Sequence, residues 1–199
     1  MVFLTEEAKK MIMDYKQNRP DIPAGWTYFE DNNNRYLLGE PVEPKQKNLL
    51  VIGVNPSTAK PGQDDPTIRK VRNISKEQGY NGWIMVNIHP QRATNPKDMK
   101  PLSDIIMENN LEVIRFICQA FDVKDALFAW GNLIDIFGKK TDDEPSFLHV
   151  SRQKIEDLLK KDDSLKNMGI QSYHYSTLTK KGNPRHLLYA PYGKQLIPY

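Results

Sequence analysis

The stretch Asn48-Leu49-Leu50-Val51-Ile52-Gly53-Val54 limits most strongly what this chain can fold into. It is apolar almost without interruption and offers no polar face to water. Such a run reads as a strand covered on both sides, as in a parallel sheet between layers of helix. Asn55-Pro56 ends it, because proline has no N–H for the ladder and turns the chain. Trp83–Ile88 and Ala126–Trp130 repeat the pattern, and Gln171–Leu178 alternates polar with apolar, as expected of a fourth strand at an edge. Helical spacing fills the intervals. Asp65-Pro66 is a cap followed by a first-turn proline, ahead of Ile68, Val71 and Ile74, with Gly79 as the stop. Ser103 or Asp104 opens a longer helix through Ile106, Asn110, Ile114, Ile117 and Phe121. A short helix runs through Ile134 and Phe137, and Ser151 is read as the cap of a last one with Ile155, Leu158 and Leu159 inward. Strands alternating with helices predict an α/β fold: a three-layer α/β/α sandwich around a four-stranded parallel sheet of order 2-1-3-4.

Residues 48–199 form this core, and residues 1–47 are expected to add a helix and a hairpin. Thr5 caps the helix, which carries Ala8, Met11, Ile12 and Tyr15 on one face; Trp26–Phe29 and Arg35–Leu38 flank the turn Asp31-Asn32-Asn33-Asn34. With 199 residues and no linker-like break, the expectation is one domain, 1–199. No apolar run approaches the roughly 20 residues that cross a bilayer. Met1–Glu7 lacks the basic and apolar regions of a signal peptide. Cys118, the sole cysteine, has no internal partner and lies in an apolar stretch, as a small buried side chain would. Together these features predict a cytoplasmic protein. The net charge of +3 is unevenly spread, since no acidic residue follows Asp163. There Lys166, Lys180, Lys181, Arg185 and Lys194 interleave with Tyr173, Tyr175, Tyr189, Tyr192 and Tyr199. Cations that neutralise phosphates beside rings that stack on bases suit a nucleic acid or nucleotide partner. A solvated end with tyrosines packed on the core would use the same residues.

Ligands of open α/β sheets bind beyond the carboxyl ends of the strands, where strand order reverses. Residues 55–65, 89–100, 131–132 and 179–192 are therefore the loops to examine. In the first, Asn55 offers a fixed carbonyl acceptor and amide donors at the end of a buried strand, fit to orient a water or grip a polar edge. Pro56 sets the turn, and Ser57 and Thr58 add hydroxyls and backbone N–H groups, an anion nest. The same residues would serve a turn whose Asn and Ser cap the backbone. Asp64 and Asp65 have no further carboxylate or histidine at ligand spacing, so no metal site is predicted. In the second loop, Asn87, His89 and Arg92 follow directly on a buried strand, and His89 and Arg92 suit phosphate contact. In the last, Arg185 and His186 stand beyond the fourth strand with Tyr189 close behind. His186 has a pKa suited to charge stabilisation, whereas His149 and His174 read as structural. The chain has no G-x-x-x-x-G-K-[ST], G-x-G-x-x-G or G-x-S-x-G, and no Cys/His set of zinc spacing.

Gly53–Ala59, Asp64-Asp65-Pro66-Thr67-Ile68-Arg69-Lys70, Val86-Asn87-Ile88 with Arg92–Pro96, Ala129-Trp130-Gly131 and Pro184-Arg185-His186 together resemble the bacterial and phage family called domain of unknown function 1643. That resemblance spans Leu49 to Tyr189 and implies no established activity. Gly53-Val54-Asn55-Pro56 is also similar to the Gly-Ile-Asn-Pro motif of the mismatch-specific branch of the uracil-DNA glycosylase superfamily, and the loop of His186 is similar to that superfamily's His-Pro-Ser motif. This second resemblance implies a cofactor-free hydrolase of N-glycosidic bonds in a nucleic acid or nucleotide. Asn55 would position the attacking water and His186 would stabilise the departing base. Pro56, Ser57, Thr58, Asn87, His89, Arg92, Arg185 and Tyr189 would contact the substrate. Ser57 stands where that motif has Gly, and Leu187-Leu188 where it has Pro-Ser. The alternative is a non-catalytic module of the same fold that binds nucleic acid or a nucleotide.

Overall fold

A computed structural model describes residues 19–43, 45–136 and 146–199. The helix expected after Thr5 lies outside the described residues. Seven strands form one sheet: β1 (Thr27–Glu30), β2 (Arg35–Glu40), β3 (Asn48–Gly53), β4 (Gly82–Asn87), β5 (Asp125–Phe128), β6 (Gln171–Tyr175) and β7 (Leu196–Pro198). Their order is β1-β2-β4-β3-β5-β6-β7. β3 pairs in parallel with β4 and β5, and β5 with β6. β1–β2, β2–β4 and β6–β7 are antiparallel.

The sheet is α/β but not the four-stranded parallel sheet expected from the sequence; it is seven-stranded and mixed. Two physical reasons account for the correction. The N-terminal hairpin does not stand apart, because β2 carries Leu37 and Leu38, both fully buried, and pairs along β4. At the other end, β6 is not an edge. β7 covers it, and its Pro198 is tolerated because nothing pairs beyond that strand.

Alternation along the central strands divides the core into two layers. Leu50, Ile52, Ile84, Val86, Ala126 and Phe128 face one side. There they meet α2 (Asp104–Ala120), through Val113, Ile114 and Ile117, and α4 (Phe147–Lys161), through Ile155, Leu158 and Leu159. Leu49, Val51, Trp83, Met85 and Leu127 face the other side, against Ile68, Val71 and Ile74 of α1 (Pro66–Glu77). Burial on both faces is why β3 can be apolar throughout. Asp65 caps α1 by accepting from the Ile68 N–H, with Pro66 in the first turn. Ser103 caps α2. Ser146, not Ser151, caps α4; Ser151 lies buried within that helix. The short α3 (Leu133–Ile136) follows β5, and α5 (Asp163–Lys166) precedes β6; Phe137, expected in α3, lies outside the described residues. Among the described residues no helix is long and apolar enough to cross a membrane.

Candidate functional site

At the carboxyl end of β3, loops that follow β3, β4, β5 and β6 enclose a cavity of about 580 Å³, within the range of small-molecule sites. Its walls include Asn55, Ser57, Arg185, His186 and Tyr189. They also include Arg35, Asp65, Thr67, Thr94, Asn132 and Thr179, which the sequence did not single out as ligand-binding residues. Asp65 is also the cap of α1, as its place before Pro66 predicts.

Asn55 is clamped. Its Nδ2 donates to the carbonyl of Pro56 (3.1 Å) and to that of Ala93 (2.7 Å). Both amide hydrogens are thereby committed to backbone, which fixes the carboxamide and leaves Oδ1 as its remaining acceptor. The Ala93 N–H donates in turn to the Pro56 carbonyl (3.1 Å). Pro56 is thus the backbone link between the loops after β3 and β4, and it is buried.

His186 reaches the cavity from the loop after β6. Its Nδ1 accepts from the Leu188 N–H (3.3 Å), which assigns the proton of the neutral ring to Nε2. Burial pushes the His186 pKa down, opposed by the negative charge of Asp65. The ring is therefore neutral near pH 7 and presents a single N–H donor. Gly131 makes this placement possible. It adopts φ +64°, and a Cβ there would stand 2.9 Å from the His186 Cβ and 3.2 Å from its backbone nitrogen. The Gly131 N–H donates to the Pro184 carbonyl at 2.8 Å. A polar network ties the same loop down: Asn132 Oδ1 accepts from Thr179 Oγ1 (2.7 Å) and Asn183 Nδ2 (3.1 Å), and Asn183 Nδ2 also donates to Asp135 (2.7 Å). Arg185 Nε donates to the Thr177 carbonyl (2.9 Å) and hydroxyl (3.2 Å). The Tyr189 ring, 76% exposed, stands 5.8 Å from that of His186.

Arg35 enters from the hairpin and is 2% exposed. Its Nη1 donates to the Ala59 carbonyl (2.9 Å), and its Nε meets no acceptor. Burial, then the nearby positive charge of Arg92, pushes the guanidinium down to about 10, against the pull of Asp65. The only sequence signal for this residue was a cation opening an otherwise apolar strand, Arg35-Tyr36-Leu37-Leu38.

The other expected contact residues lie elsewhere. Arg92 does not line the cavity; it donates to the Ser57 carbonyl (2.9 Å), the Tyr28 hydroxyl (2.6 Å) and Glu30 (2.7 Å), fastening the hairpin to the loop after β3. His89 is fully buried, with Nε2 on the Lys100 carbonyl (2.8 Å), and burial pushes its pKa down. Asn87 is buried beneath the cavity's strand ends beside Gly53; its backbone carbonyl accepts from Asn110 (3.0 Å), and its side-chain amide has no partner among the described residues. Thr58 is exposed outside the cavity. Asp64 pairs with Arg72, which also holds Glu40. Among the described residues no three His, Cys, Asp or Glu side chains gather as a metal site would need. The tyrosines of the basic end do not make one face: Tyr175 is core, Tyr199 packs on Phe128 and Trp130, Tyr192 lies under the Lys70 ammonium (3.8 Å), and only Tyr189 lines the cavity.

The fold and the cavity define an α/β protein with a small-molecule-sized cleft at the ends of its parallel strands. Residues 35–188 match the model of the family described as Protein of unknown function (DUF1643), and the chain belongs to that family. No curated protein and no solved structure matches it.

Proposed function

We propose that the cavity hydrolyses an N-glycosidic bond of a nucleotide or nucleic acid. The observation that carries this reading is the clamped Asn55 carboxamide, whose one remaining acceptor shares a cavity with a neutral histidine that presents one donor. Asn55 Oδ1 holds a water against the anomeric carbon. As the C–N bond breaks, its electron pair leaves with the base, the water oxygen bonds the sugar carbon, and a water proton passes to solvent. His186 Nε2–H meets the charge that develops on the base. Preorganised donors and acceptors of this kind act mainly on the transition state. The distant glycosylase likeness of the Gly53–Pro56 segment supports the reading only at the level of these residues.

A second reading, nucleotide or nucleic-acid binding without chemistry, is favoured by the exposed Tyr189, which lines the cavity together with the cation Arg185. Assay of free base from a panel of modified nucleosides, nucleotides and oligonucleotides, without added metal, separates the two. Hydrolysis predicts release that Asn55→Ala lowers by on the order of a hundredfold, with affinity little changed. No release across the panel refutes hydrolysis, and retained affinity then leaves the binding module. Release that survives Asn55→Ala in full refutes the assigned role of Asn55.

A further inference from the structure

Buried guanidinium groups are costly unless an anion or a full set of acceptors meets them. Arg35 has neither. It is 2% exposed, Nη1 alone has an acceptor among the described residues, and Nε has none. No carboxylate forms an ion pair with it among the described residues; Glu30 is held by Arg92, and Asp65 spends one oxygen on the Ile68 N–H. Yet Arg35 is a wall of the cavity and not a core residue sealed away from it. A second cation, Arg185, lines the same cavity. So does the first turn of α1, through Asp65, Thr67 and Ile68. Pro66 has no N–H and that of Ile68 is taken by Asp65, which leaves Thr67 as the first-turn residue whose N–H has no acceptor among the described residues. The free oxygen of Asp65 lies in the same wall and repels an anion placed against it, which restricts where an anionic group can sit.

From this arrangement we propose that Arg35 is the centre of an anion subsite in the cavity, taking a phosphate group of the ligand. The guanidinium fork matches phosphate oxygens in two parallel hydrogen bonds. Nε and Nη2 are the edge left over once Nη1 is bound to Ala59. Thr67 N–H and Arg185 complete the cradle. The inference rests on the preceding reading only in taking this cavity as the substrate's site; it does not require hydrolysis. It narrows the ligand to one that carries a phosphate, a nucleotide and not a free base or nucleoside.

The phosphate has two sources, inorganic phosphate and a nucleoside 5′-monophosphate, and the test uses both as probes. The full chain, labelled at arginine nitrogen, is titrated with each probe and with the matching nucleoside, while the Arg35 Nε–H resonance is followed by NMR. The resonance is assigned by its loss in Arg35→Lys, which keeps the charge and removes the fork. The expected result is a saturable shift with the monophosphate, a weaker one with inorganic phosphate, and none with the nucleoside. Because Arg35 also secures the Ala59 carbonyl, the assignment variant could lose its fold. Assignment in the wild-type chain through the side-chain carbons of Arg35 then replaces it. A resonance unmoved by either phosphate probe overturns the subsite, and so does a nucleoside that moves it as strongly as the monophosphate, since Arg35 would then be reading base or sugar oxygens. Asn55→Ala keeps this failure separate from failure of the hydrolase: the variant must retain the phosphate-dependent shift even though its base release is expected to fall by on the order of a hundredfold.

Discussion

Gly131→Ala tests whether His186 is held where the site requires it. Gly131 has φ +64°, a conformation that costs an L-residue about 1–2 kcal/mol. The added methyl also meets a rigid obstacle, the His186 Cβ at 2.9 Å and its backbone nitrogen at 3.2 Å. Overpacking of that kind costs about 1–3 kcal/mol. The sum is about 2–5 kcal/mol. At roughly 2–4 °C per kcal/mol for a chain of this size, Tm should fall by roughly 4–20 °C. Gly79→Ala is the matched control. Its φ is +75°, and a Cβ there meets nothing within 4 Å. It bears the dihedral cost alone, about 1–2 kcal/mol, and both variants share the same change in the unfolded chain. Scanning calorimetry of the pair isolates the contact with His186. Gly131→Ala should also weaken any cavity ligand, whereas Gly79→Ala should not. If the two variants melt together, the close approach of Gly131 to His186 is not a constraint, and the argument that this glycine positions the histidine fails.

Arg92→Ala should free the hairpin, held through Tyr28 and Glu30, from the loop that carries the Ser57 carbonyl; a double-mutant cycle with Glu30→Gln should show coupling on the order of 1–3 kcal/mol, and strict additivity would remove Arg92 as the latch. His89, neutral and fully buried, has a pKa below its unfolded value. The unfolded chain therefore binds a proton that the folded chain does not, and its contribution to stability is present above about pH 6.5 and lost as pH falls toward the folded pKa. The unfolding free energy from urea titrations between pH 7.5 and 5.5 should fall by up to about 1.4 kcal/mol per pH unit for that proton, and His89→Gln should flatten the profile. The Cys118 thiol is fully buried and pushed up to about 12 by burial; alkylation should track global unfolding, and rapid labelling of the native chain would contradict its burial.

Legibility in the sequence followed the range of the physical signal. β3 was readable because burial on both faces leaves an uninterrupted apolar run, and α1 because Asp65-Pro66 marks its start chemically. β7 was not, since Leu196–Pro198 is three residues with a proline and gains its ladder only by meeting β6 from afar in sequence. The same holds for the attachment of β2 to β4. Hairpin formation is local, but Leu38↔Met85 is a pairing across 47 positions that no periodicity announces. Among the residues that line the cavity, Asn55, Ser57, Arg185, His186 and Tyr189 are legible because each lies in a loop that follows a strand. Arg92 and His89 stand in the same kind of place yet turn to structural partners, and side-chain direction is settled by those partners, not by position. Arg35 and the Asn132–Thr179–Asn183 network were missed for the converse reason, being polar residues whose role exists only after distant segments meet.

The hairpin is the element that turns a crevice between loops into a charged cavity. β2 delivers Arg35 to the wall, while Tyr28, Glu30 and Arg92 lock the hairpin to the Ser57 carbonyl one residue from Pro56. Pro56 in turn is one of the two carbonyls that clamp Asn55. The hairpin lock and the orientation of Asn55 are therefore linked through two adjacent peptide units. A change at Glu30, which never touches the cavity, is expected to loosen the carboxamide as well as the strand. The residues that match the family begin at Arg35, the buried cation that the hairpin brings to the cavity wall.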